Sequence, residues 1–154
     1  MRLSEHFTLE EFTRNSRGFA NIPQPEVAER LRWLCVFILE PIRTHFGKPI
    51  HITSGFRCPR LNEAVGGAPN SAHKAEGDKA ACDFQIRELA LQDVFAWIRL
   101  RSGLIFDTVI LERGREERHE LDDCIHIQIN SLPRRRALLG ATHGKSGYTP
   151  VEVK

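Results

Sequence analysis

Hydrophobic side chains in the first third of the chain recur at the spacing of an amphipathic helix. The pattern begins at Pro25, a residue favoured at a first helical position, and ends at Gly47. Pro41 lies inside it and removes a backbone donor, so it predicts a kink or a break near Leu39. The repeating positions are Val27, Leu31, Leu34, Ile38 and Ile42. We expect the main core helix here.

A shorter helix is predicted near the start of the chain. Thr8 and Glu11 have the spacing of a capping box, in which two side chains satisfy backbone donors at a helix start. The helix covers Leu9 to Thr13, with Phe7 and Phe12 as its apolar anchors.

The rest of the chain alternates short strands with two more helices, Pro59 to Val65 and Leu89 to Arg101, and a polar turn, Arg113 to Glu120. The predicted strands are Ile50 to Ser54, Ala80 to Ile86, Thr108 to Glu112 and, as the last strand, Cys124 to Asn130. This order indicates an α+β fold with a small, mainly antiparallel sheet and the N-terminal helices packed on one face. Since no repeat or linker interrupts the pattern, we expect a single domain over residues 1–154.

The composition excludes several classes of protein. The chain has 154 residues, 22 Lys+Arg against 20 Asp+Glu, and 41% hydrophobic residues, which is typical of an ordinary globular domain and not of a disordered chain. A net charge of +2 is too small for a strong phosphate-binding field. The basic run Arg134 to Arg136 is short and lacks interleaved aromatics, so we interpret it as solvated surface and expect no nucleic-acid partner.

Targeting signals and cysteine spacing indicate the cellular compartment in which a protein is made and folds. No stretch approaches the ~20 apolar residues of a membrane span, and the first residues carry acids where a signal peptide has its apolar core. We therefore expect synthesis in the cytoplasm without a signal peptide. The cysteines form no Cys-x-x-Cys pair and are interpreted as buried thiols, with zinc ligation as the alternative. They are Cys35, Cys58, Cys82 and Cys124.

Two of the predicted strands carry polar side chains on one face, because successive side chains of a strand point to opposite sides. In Cys124 to Asn130 the isoleucines share one face, which leaves His126 on the other. In Ala80 to Ile86 the apolar positions leave Asp83 on the polar face. If these strands pair, an imidazole and a carboxylate project from the same side of the sheet.

A third candidate, His73, lies in the loop just before the Asp83 strand. Two imidazoles and one carboxylate, with one coordination position left open, are the composition of a catalytic zinc site. A single histidine or aspartate is more often a solvated side chain. Spacing alone therefore leaves both interpretations of His73, Asp83 and His126 open.

Asp123 is a candidate base beside these residues. It precedes His126 by an odd number of positions, so the two side chains would face opposite sides of a regular strand. Asp123 reaches the site only from a lead-in turn or a bulge. The alternative is that Asp122 and Asp123 form an acidic surface turn.

Several motifs occur in order along the chain. Ser54-Gly55-Phe56-Arg57 is followed by Asn70-Ser71-Ala72-His73, then by Ala81-Cys82-Asp83-Phe84 and Ile125-His126-Ile127. Read together, they resemble the zinc D-Ala-D-Ala carboxypeptidase family, which includes the L-alanyl-D-glutamate endopeptidases of phage lysins and shares its fold with hedgehog signalling domains. The resemblance covers residues 3–130.

The resemblance implies a hedgehog/DD-peptidase-like fold and a zinc peptidase that hydrolyses a peptide bond next to a D-amino acid in peptidoglycan stem peptides. Asp123 would be the catalytic base that takes a proton from the attacking water. Arg57 would bind substrate and stabilise charge on the attacked carbonyl, and Ser71 would bind substrate or support a ligand. The implied zinc ligands are His73, Asp83 and His126.

The loop between the first two ligands is longer than the family pattern. Nine residues, Lys74 to Cys82, separate His73 from Asp83, three more than is usual. Loop insertions cost little by closure entropy, about 0.6 kcal/mol per doubling of length, so ligation survives if the ends keep their positions. The insertion makes Asp78 a rival ligand, but Asp83 is favoured because Phe84 follows it in the family manner.

The resemblance leaves the cleaved bond open. An exopeptidase closes one end of its cleft and an endopeptidase needs an open groove; we favour the endopeptidase or lysin type, acting as a monomer on the bacterial cell wall after release by a separate route. The alternative is a cell-wall-binding or structural module of the same fold without hydrolysis. The tail from Leu132 to Lys154 lies outside the resemblance, with Tyr148 as a candidate for packing or for lining the groove.

Overall fold

The computed structural model describes residues 1–113, 123–140 and 147–154. Within these ranges the α-helices are α1 (Leu9–Thr13), α2 (Pro25–Leu34), α3 (Glu40–Phe46), α4 (Pro59–Ala64) and α5 (Leu91–Leu100). A π-helical turn, Cys35–Leu39, joins α2 to α3, and a 3-10 turn, Ala72–Lys74, precedes the second strand. The strands are β1 (His51–Ser54), β2 (Ala80–Gln85), β3 (Thr108–Glu112), β4 (Cys124–Ile129), β5 (Arg136–Gly140) and β6 (Tyr148–Val151). None of the helices in these ranges is long and apolar enough to cross a membrane.

The core helix is interrupted where the sequence predicts it. In the π-helical turn between α2 and α3, the Glu40 amide donates to the Cys35 carbonyl. Pro41 is the second residue of α3 and has no amide to donate, and the widened π-helical turn directly before it is where the hydrogen-bond pattern changes. Gly47, in the left-handed conformation with a φ of 62°, ends α3. The sequence predicts a kink or a break near Leu39; the structure has a π-helical turn there, with helical backbone continuing through Glu40, and the predicted end at Gly47 is confirmed.

The described strands form one sheet in the order β1-β2-β4-β3-β5-β6. Neighbours are antiparallel except β3 and β5, which are parallel, so an α+β fold with a mainly antiparallel sheet is confirmed. The prediction that Cys124 to Asn130 is the last strand is wrong, because β5 and β6 follow it. β6 is mostly exposed and contains Pro150, so this edge strand lacks the apolar alternation of the inner strands.

The apolar face of the sheet packs against the helices. Ile52 on β1, Phe84 on β2 and Ile127 on β4 are at most 1% exposed. They belong to one hydrophobic cluster with Leu31 of α2 and Ile38 of the π-helical turn. Because side chains alternate along a strand, this packing turns the intervening polar side chains of β2 and β4 to the other face, as the sequence predicts.

Several predicted boundaries and burial states need correction. α5 is shorter than predicted, and β1, β2 and β4 differ from their predicted ranges by one residue at one end. α1 and β3 have their predicted bounds, and the capping box of α1 is present. All four cysteines are free thiols, but Cys58 and Cys124 are half-buried and not buried as predicted. The predicted polar turn beyond Arg113, and Asp122, fall among residues 114–122, outside the described residues.

Gly55 allows the segment after β1 to lie against α1. A Cβ atom on Gly55 would lie 2.5 Å from the Cα and the carbonyl oxygen of Phe12, and backbone atoms cannot rotate away. We predict that Gly55→Ala lowers the free energy of unfolding by about 3 kcal/mol, the upper end of the usual cost of overpacking. Denaturation followed by circular dichroism measures the loss.

Gly18→Ala is the control for this substitution. With a φ of 71°, it adds backbone strain of about 1 kcal/mol, whereas a Cβ atom there meets no atom within 4 Å. Equal losses of stability in the two variants would contradict the close approach at Gly55.

Candidate metal centre

Strand pairing brings Asp83 and His126 side by side. The two residues are direct Cα partners in the antiparallel β2–β4 pair, so their side chains leave the same face of the sheet. On the other side of β2, the register with β1 shifts between Ile52 and Ser54, and Ser54 lies opposite Asp83. The polar faces of β2 and β4 are therefore continuous at this point.

The loop before β2 brings His73 to the same place. Ser71 caps the 3-10 turn, with its Oγ accepting a hydrogen bond from the His73 amide at 3.3 Å. The Arg57 amide donates to the His73 carbonyl at 2.9 Å, which ties the turn to the segment after β1. His73 is only 4% exposed. Its backbone is thus held from two sides while its ring is buried.

Three side-chain atoms converge here. Asp83 Oδ1 lies 3.2 Å from His73 Nε2 and 2.8 Å from His126 Nδ1, and the two nitrogens are 3.3 Å apart. Ligands about 2.0–2.1 Å from a tetrahedral zinc ion are separated by roughly 3.3 Å, so the three atoms have nearly the spacing of three corners of a zinc tetrahedron. Among the histidine, cysteine and acidic side chains of the described residues, His73, Asp83 and His126 form the cluster that could hold a metal ion.

The outer nitrogen of His73 is occupied. Its Nδ1 lies 2.7 Å from the carbonyl oxygen of Gly55. Because a carbonyl oxygen only accepts hydrogen bonds, Nδ1 carries the proton in the neutral ring. The lone pair of His73 is therefore on Nε2, the atom that faces Asp83 and His126.

A chain of hydrogen bonds sets the tautomer of His126 in the same way. The buried carboxylate of Asp107 only accepts, so the Gln128 amide turns its Nε2 donor toward Asp107 Oδ2. Gln128 Oε1 then faces His126 Nε2 at 3.4 Å and accepts a hydrogen bond from it. With one proton of His126 held on Nε2, Nδ1 lies 2.8 Å from Asp83 Oδ1 and either donates a second proton to it or, once that proton is lost, offers a lone pair to a metal.

Asp107 is held by further donors. The Arg134 Nε and amide donate to its Oδ1 at 2.9 and 3.0 Å, and Thr108 Oγ1 donates to its Oδ2 at 3.0 Å. Burial raises the pKa of Asp107, but the hydrogen bonds from Arg134 and Gln128 outweigh it and hold the pKa well below its usual range. Arg134 is exposed at the surface, as the sequence predicts for the basic run, and its guanidinium also pairs with the buried Asp107 carboxylate.

With both rings neutral, three acceptor atoms face one another in a partly buried site, which is unfavourable unless a cation lies among them. Burial raises the pKa of Asp83 and lowers that of His126, but their mutual contacts outweigh it. The histidines hold the pKa of Asp83 well below its usual range, and Asp83 raises the pKa of His126. In the absence of a metal, Asp83 therefore favours the protonated form of His126. A divalent metal uses all three lone pairs, and two imidazoles with one carboxylate fit zinc.

Arg57 lies beside the second oxygen of Asp83. Its Nη2 is 3.5 Å from Asp83 Oδ2, and its Nε donates to Ser54 Oγ at 3.2 Å. Burial lowers the pKa of Arg57, against the raising effect of Asp83, but a guanidinium stays charged in proteins. A positive donor group therefore stands at the edge of the metal centre.

His73, Asp83 and His126, together called the triad, open into a cavity of about 310 Å³. Arg57 and Ser71, both predicted as site residues, line it together with the triad. Glu112 lines it as well, although sequence reasoning did not propose it as a site residue. Its strand is buried from Thr108 to Leu111, so the sequence alone did not show that this face looks into the cavity; the strand register does. Tyr148, a candidate groove residue, lines the cavity from β6.

Two other candidates take different positions. Asp123 lies immediately before β4 and is not among the described residues that line the cavity. Its carbonyl oxygen accepts a hydrogen bond from Gln85 Nε2 at 2.6 Å. Asp78, the rival ligand, accepts a hydrogen bond from the Ser131 hydroxyl and lines a different cavity. The longer loop therefore leaves Asp83 as the carboxylate of the triad.

Gln128→Met keeps the side-chain length and removes the acceptor for His126. We predict that it weakens zinc binding about 10- to 100-fold, the usual effect of losing a group that orients a metal-ligating histidine. Competition with a chromogenic chelator measures the affinity. Gln92→Met, at an exposed position of α5, is the matched control. Unchanged zinc affinity in Gln128→Met would show that this side chain does not position His126.

Comparison with known proteins agrees with this geometry. A family model described as Peptidase M15 matches residues 5–114, well over half of the chain. The match includes His73 and Asp83 and ends before β4, so the placement of His126 rests on the strand pairing. No curated protein matches the chain. On this evidence the chain belongs to the Peptidase M15 family, of the zinc D-Ala-D-Ala carboxypeptidase type.

Proposed function

We propose that this protein is a zinc-dependent peptidase that hydrolyses a peptide bond next to a D-amino acid in peptidoglycan stem peptides. Membership of the family supplies the reaction class. The observation that carries the proposal is the convergence of His73 Nε2, Asp83 Oδ1 and His126 Nδ1 while the outer nitrogens of both rings are occupied. A catalytic zinc site needs three protein ligands and an open side, and the cavity provides the open side.

His73, Asp83 and His126 would hold the zinc ion. Bound there, zinc supplies a Lewis acid that polarises the scissile carbonyl and activates water at neutral pH. Asp83 would use Oδ1 toward the metal, because its Oδ2 faces Arg57 at 3.5 Å. This contact favours ligation through one carboxylate oxygen.

Arg57 and Ser71 would bind substrate beside the triad. The planar donor fork of Arg57 suits a substrate carboxylate or the charge that develops on the attacked oxygen. Ser71 Oγ accepts from the His73 amide, and its hydroxyl can still donate to a substrate carbonyl. Both roles come from the family resemblance, and the position of both side chains on the cavity wall supports them.

A carboxylate beside the triad would accept the proton of the attacking water. The resemblance predicts Asp123 for this role, and its place just before β4, three residues from His126, is the family position. This assignment stays a prediction from the resemblance. A second carboxylate, Glu112, lines the cavity itself.

We also propose a hedgehog/DD-peptidase-like fold, a single domain over residues 1–154, and action as a monomer at the bacterial cell wall, with an endopeptidase mode favoured. The helices packed on one face of a mainly antiparallel sheet support the fold. The longer loop between His73 and Asp83 is the observation that favours the alternative, a cell-wall-binding or structural module without hydrolysis. Against that alternative, His73 Nε2 and Asp83 Oδ1, at the two ends of the loop, lie 3.2 Å apart.

Metal content and digestion of purified muropeptides test the proposed function together. We predict about one zinc ion per chain and cleavage next to a D-residue, with the products identified by mass spectrometry. His73→Ala should lose both zinc and turnover. His45→Ala, on α3, where His45 stacks on Trp97 at 4.0 Å, should keep both. A wild-type protein that takes up zinc and binds muropeptides without cutting them would favour the binding module, and failure to take up zinc would contradict the proposal.

Zinc affinity should depend on pH through His126. Its pKa is raised above the ordinary value of 6.5 because Asp83 outweighs the opposing effect of burial, and zinc must displace that proton. As the pH falls below this raised pKa, the affinity should decrease by about tenfold per pH unit for one displaced proton. Competition titrations between pH 5.5 and 8, corrected for protonation of the chelator, measure it. An affinity that does not change until the pH is well below 6.5 would contradict the raised pKa.

A further inference from the structure

Two side chains of opposite charge lie on the cavity wall, on either side of the triad. In the sheet, β4 with His126 lies between β2 with Asp83 and β3, which ends at Glu112. Arg57 lies on the β2 side, with its Nη2 3.5 Å from Asp83 Oδ2. Arg57 and Glu112 both line the cavity. A substrate that crosses the triad therefore meets a cation on one side and an anion on the other.

The strand register turns Glu112 to the face that carries the triad. In the β3–β4 pair, Ile110 is the Cα partner of His126 and Glu112 is the Cα partner of Cys124. Paired residues share a face, and so do residues two apart along a strand. Since neighbouring strands are about 4.8 Å apart, β3 lies about 10 Å from β2, the length of roughly three residues of an extended peptide. A bound peptide can therefore reach Glu112 from about two or three residues beyond the triad.

The C-terminal strands hold the Glu112 carboxylate in place. The Tyr148 hydroxyl donates to Glu112 Oε1 at 3.0 Å. A Cβ atom on Gly140 would lie only 3.0 Å from Glu112 Oε2, so the glycine leaves room for the second oxygen. Gly140 and Tyr148 are direct Cα partners in the β5–β6 pair. One cross-strand position thus provides a donor to one oxygen and space for the other.

Tyr148 orients this carboxylate without neutralising it. Burial and then the charge of Glu112 raise the pKa of Tyr148 to about 12, so the hydroxyl stays a neutral donor near pH 7. Within the described residues, no cationic side chain lies within ion-pair distance of Glu112. The Glu112 carboxylate is therefore held in a fixed position on the cavity wall while its charge is available to a ligand.

The substrate class supplies a cation of matching chemistry. A stem peptide carries its positive charges on primary amines, at the side chain of a diamino acid or at a free N-terminus. An ammonium group has three donors and no acceptor, which suits a carboxylate that accepts only. Their attraction is screened less in a partly enclosed cavity than in bulk water, and hydrogen bonds between charged groups are about twice as strong as neutral ones.

We propose that Glu112 is a specificity-determining residue that selects substrates with a free primary amine about two or three residues from the cleaved bond. This inference rests on the proposed function. The Glu112 carboxylate accepts hydrogen bonds from the substrate ammonium, and no covalent bond changes there. Tyr148 is a positioning residue, because it acts through Glu112. The role is separate from that of the proton acceptor, for which Asp123 stays the prediction.

Four forms of one stem peptide test the selection and identify the amine. The side-chain amine of its diamino acid and its N-terminal amine are each either free or acetylated. With the zinc-loaded wild-type protein, we expect acetylation of at least one of the two amines to lower kcat/KM about 10- to 100-fold. The loss should lie mainly in KM, because the contact is made equally in the ground state and the transition state. The amine whose acetylation has this effect is the one that Glu112 binds.

Glu112→Gln tests whether the preference depends on the Glu112 charge. Glutamine keeps the side-chain shape and an oxygen that accepts from Tyr148, but it lacks the negative charge. We expect the ratio of kcat/KM between the free and acetylated peptides to fall to about threefold or less. Glu26→Gln, at an exposed position of α2, is the matched control and should keep the wild-type ratio. If Glu112 only shapes the cavity, Glu112→Gln loses activity equally on both peptides, and an unchanged ratio overturns the proposal.

Tyr148→Phe tests the positioning role and covers the case in which Glu112→Gln loses zinc or its fold. We expect the ratio to fall by about three- to tenfold, because the carboxylate loses the donor that fixes it and can turn away from the substrate. An unchanged ratio in Tyr148→Phe overturns the positioning role. Where Glu112→Gln has lost zinc or its fold, that result overturns the whole proposal.

The outcomes for the wild-type protein separate this inference from the proposed function. A protein that takes up zinc and cleaves all four peptides with equal kcat/KM overturns the role of Glu112 while the peptidase assignment stands. A protein that takes up no zinc, or that cleaves none of the four peptides, overturns both.

Discussion

The site depends on three potential ligand atoms being held about 3 Å apart while the outer nitrogen of each ring has a partner. Such a cluster would separate in a flexible chain, because lone pairs repel and water offers each of them a donor. Here the register of β2 and β4 fixes Asp83 beside His126, and a 3-10 turn fixes His73. The packing of the apolar side of the same strands supplies the stabilisation that offsets the repulsion, so folding creates the site and a bound cation stabilises the fold in return.

The two histidines reach the same state by different means. His73 donates to a backbone carbonyl, that of Gly55, so its tautomer depends on the path of the chain after β1. The tautomer of His126 depends on two side chains. Asp107 only accepts, so Gln128 turns its amide nitrogen to Asp107 and its amide oxygen to His126. The buried Asp107 carboxylate, which reaches His126 only through Gln128, therefore favours a proton on Nε2 of His126. The ring of His73 is therefore oriented by the backbone, and the ring of His126 by contacts among side chains that are distant in the sequence.

Sequence reasoning located the parts of the site that follow from local periodicity. The alternation of apolar side chains placed Asp83 and His126 on one face, and Pro41 marked the break in the core helix. Glu112 was not predicted as a site residue because β3 is buried on both faces, and Ile110 separates Glu112 from the other polar position, Thr108, on the same face. β6 was not predicted because it is a mostly exposed edge strand, and β5 was not predicted because it is short and has a single fully buried position. The motifs of the family resemblance, and not spacing alone, joined His73 to the other two ligands.

The cavity is built from two parts of the chain with different relations to the family match. The matched residues 5–114 supply His73, Asp83 and Arg57 on one side. His126 and Tyr148 come from beyond the match, and β5 runs parallel to β3, so the last two strands extend the sheet past Glu112. The three side chains that could hold a metal lie on the inner strands β2 and β4 and on the turn before β2, whereas Tyr148 lies on the edge strand β6. The cavity therefore combines a part fixed by the inner sheet with a part contributed by an exposed edge strand.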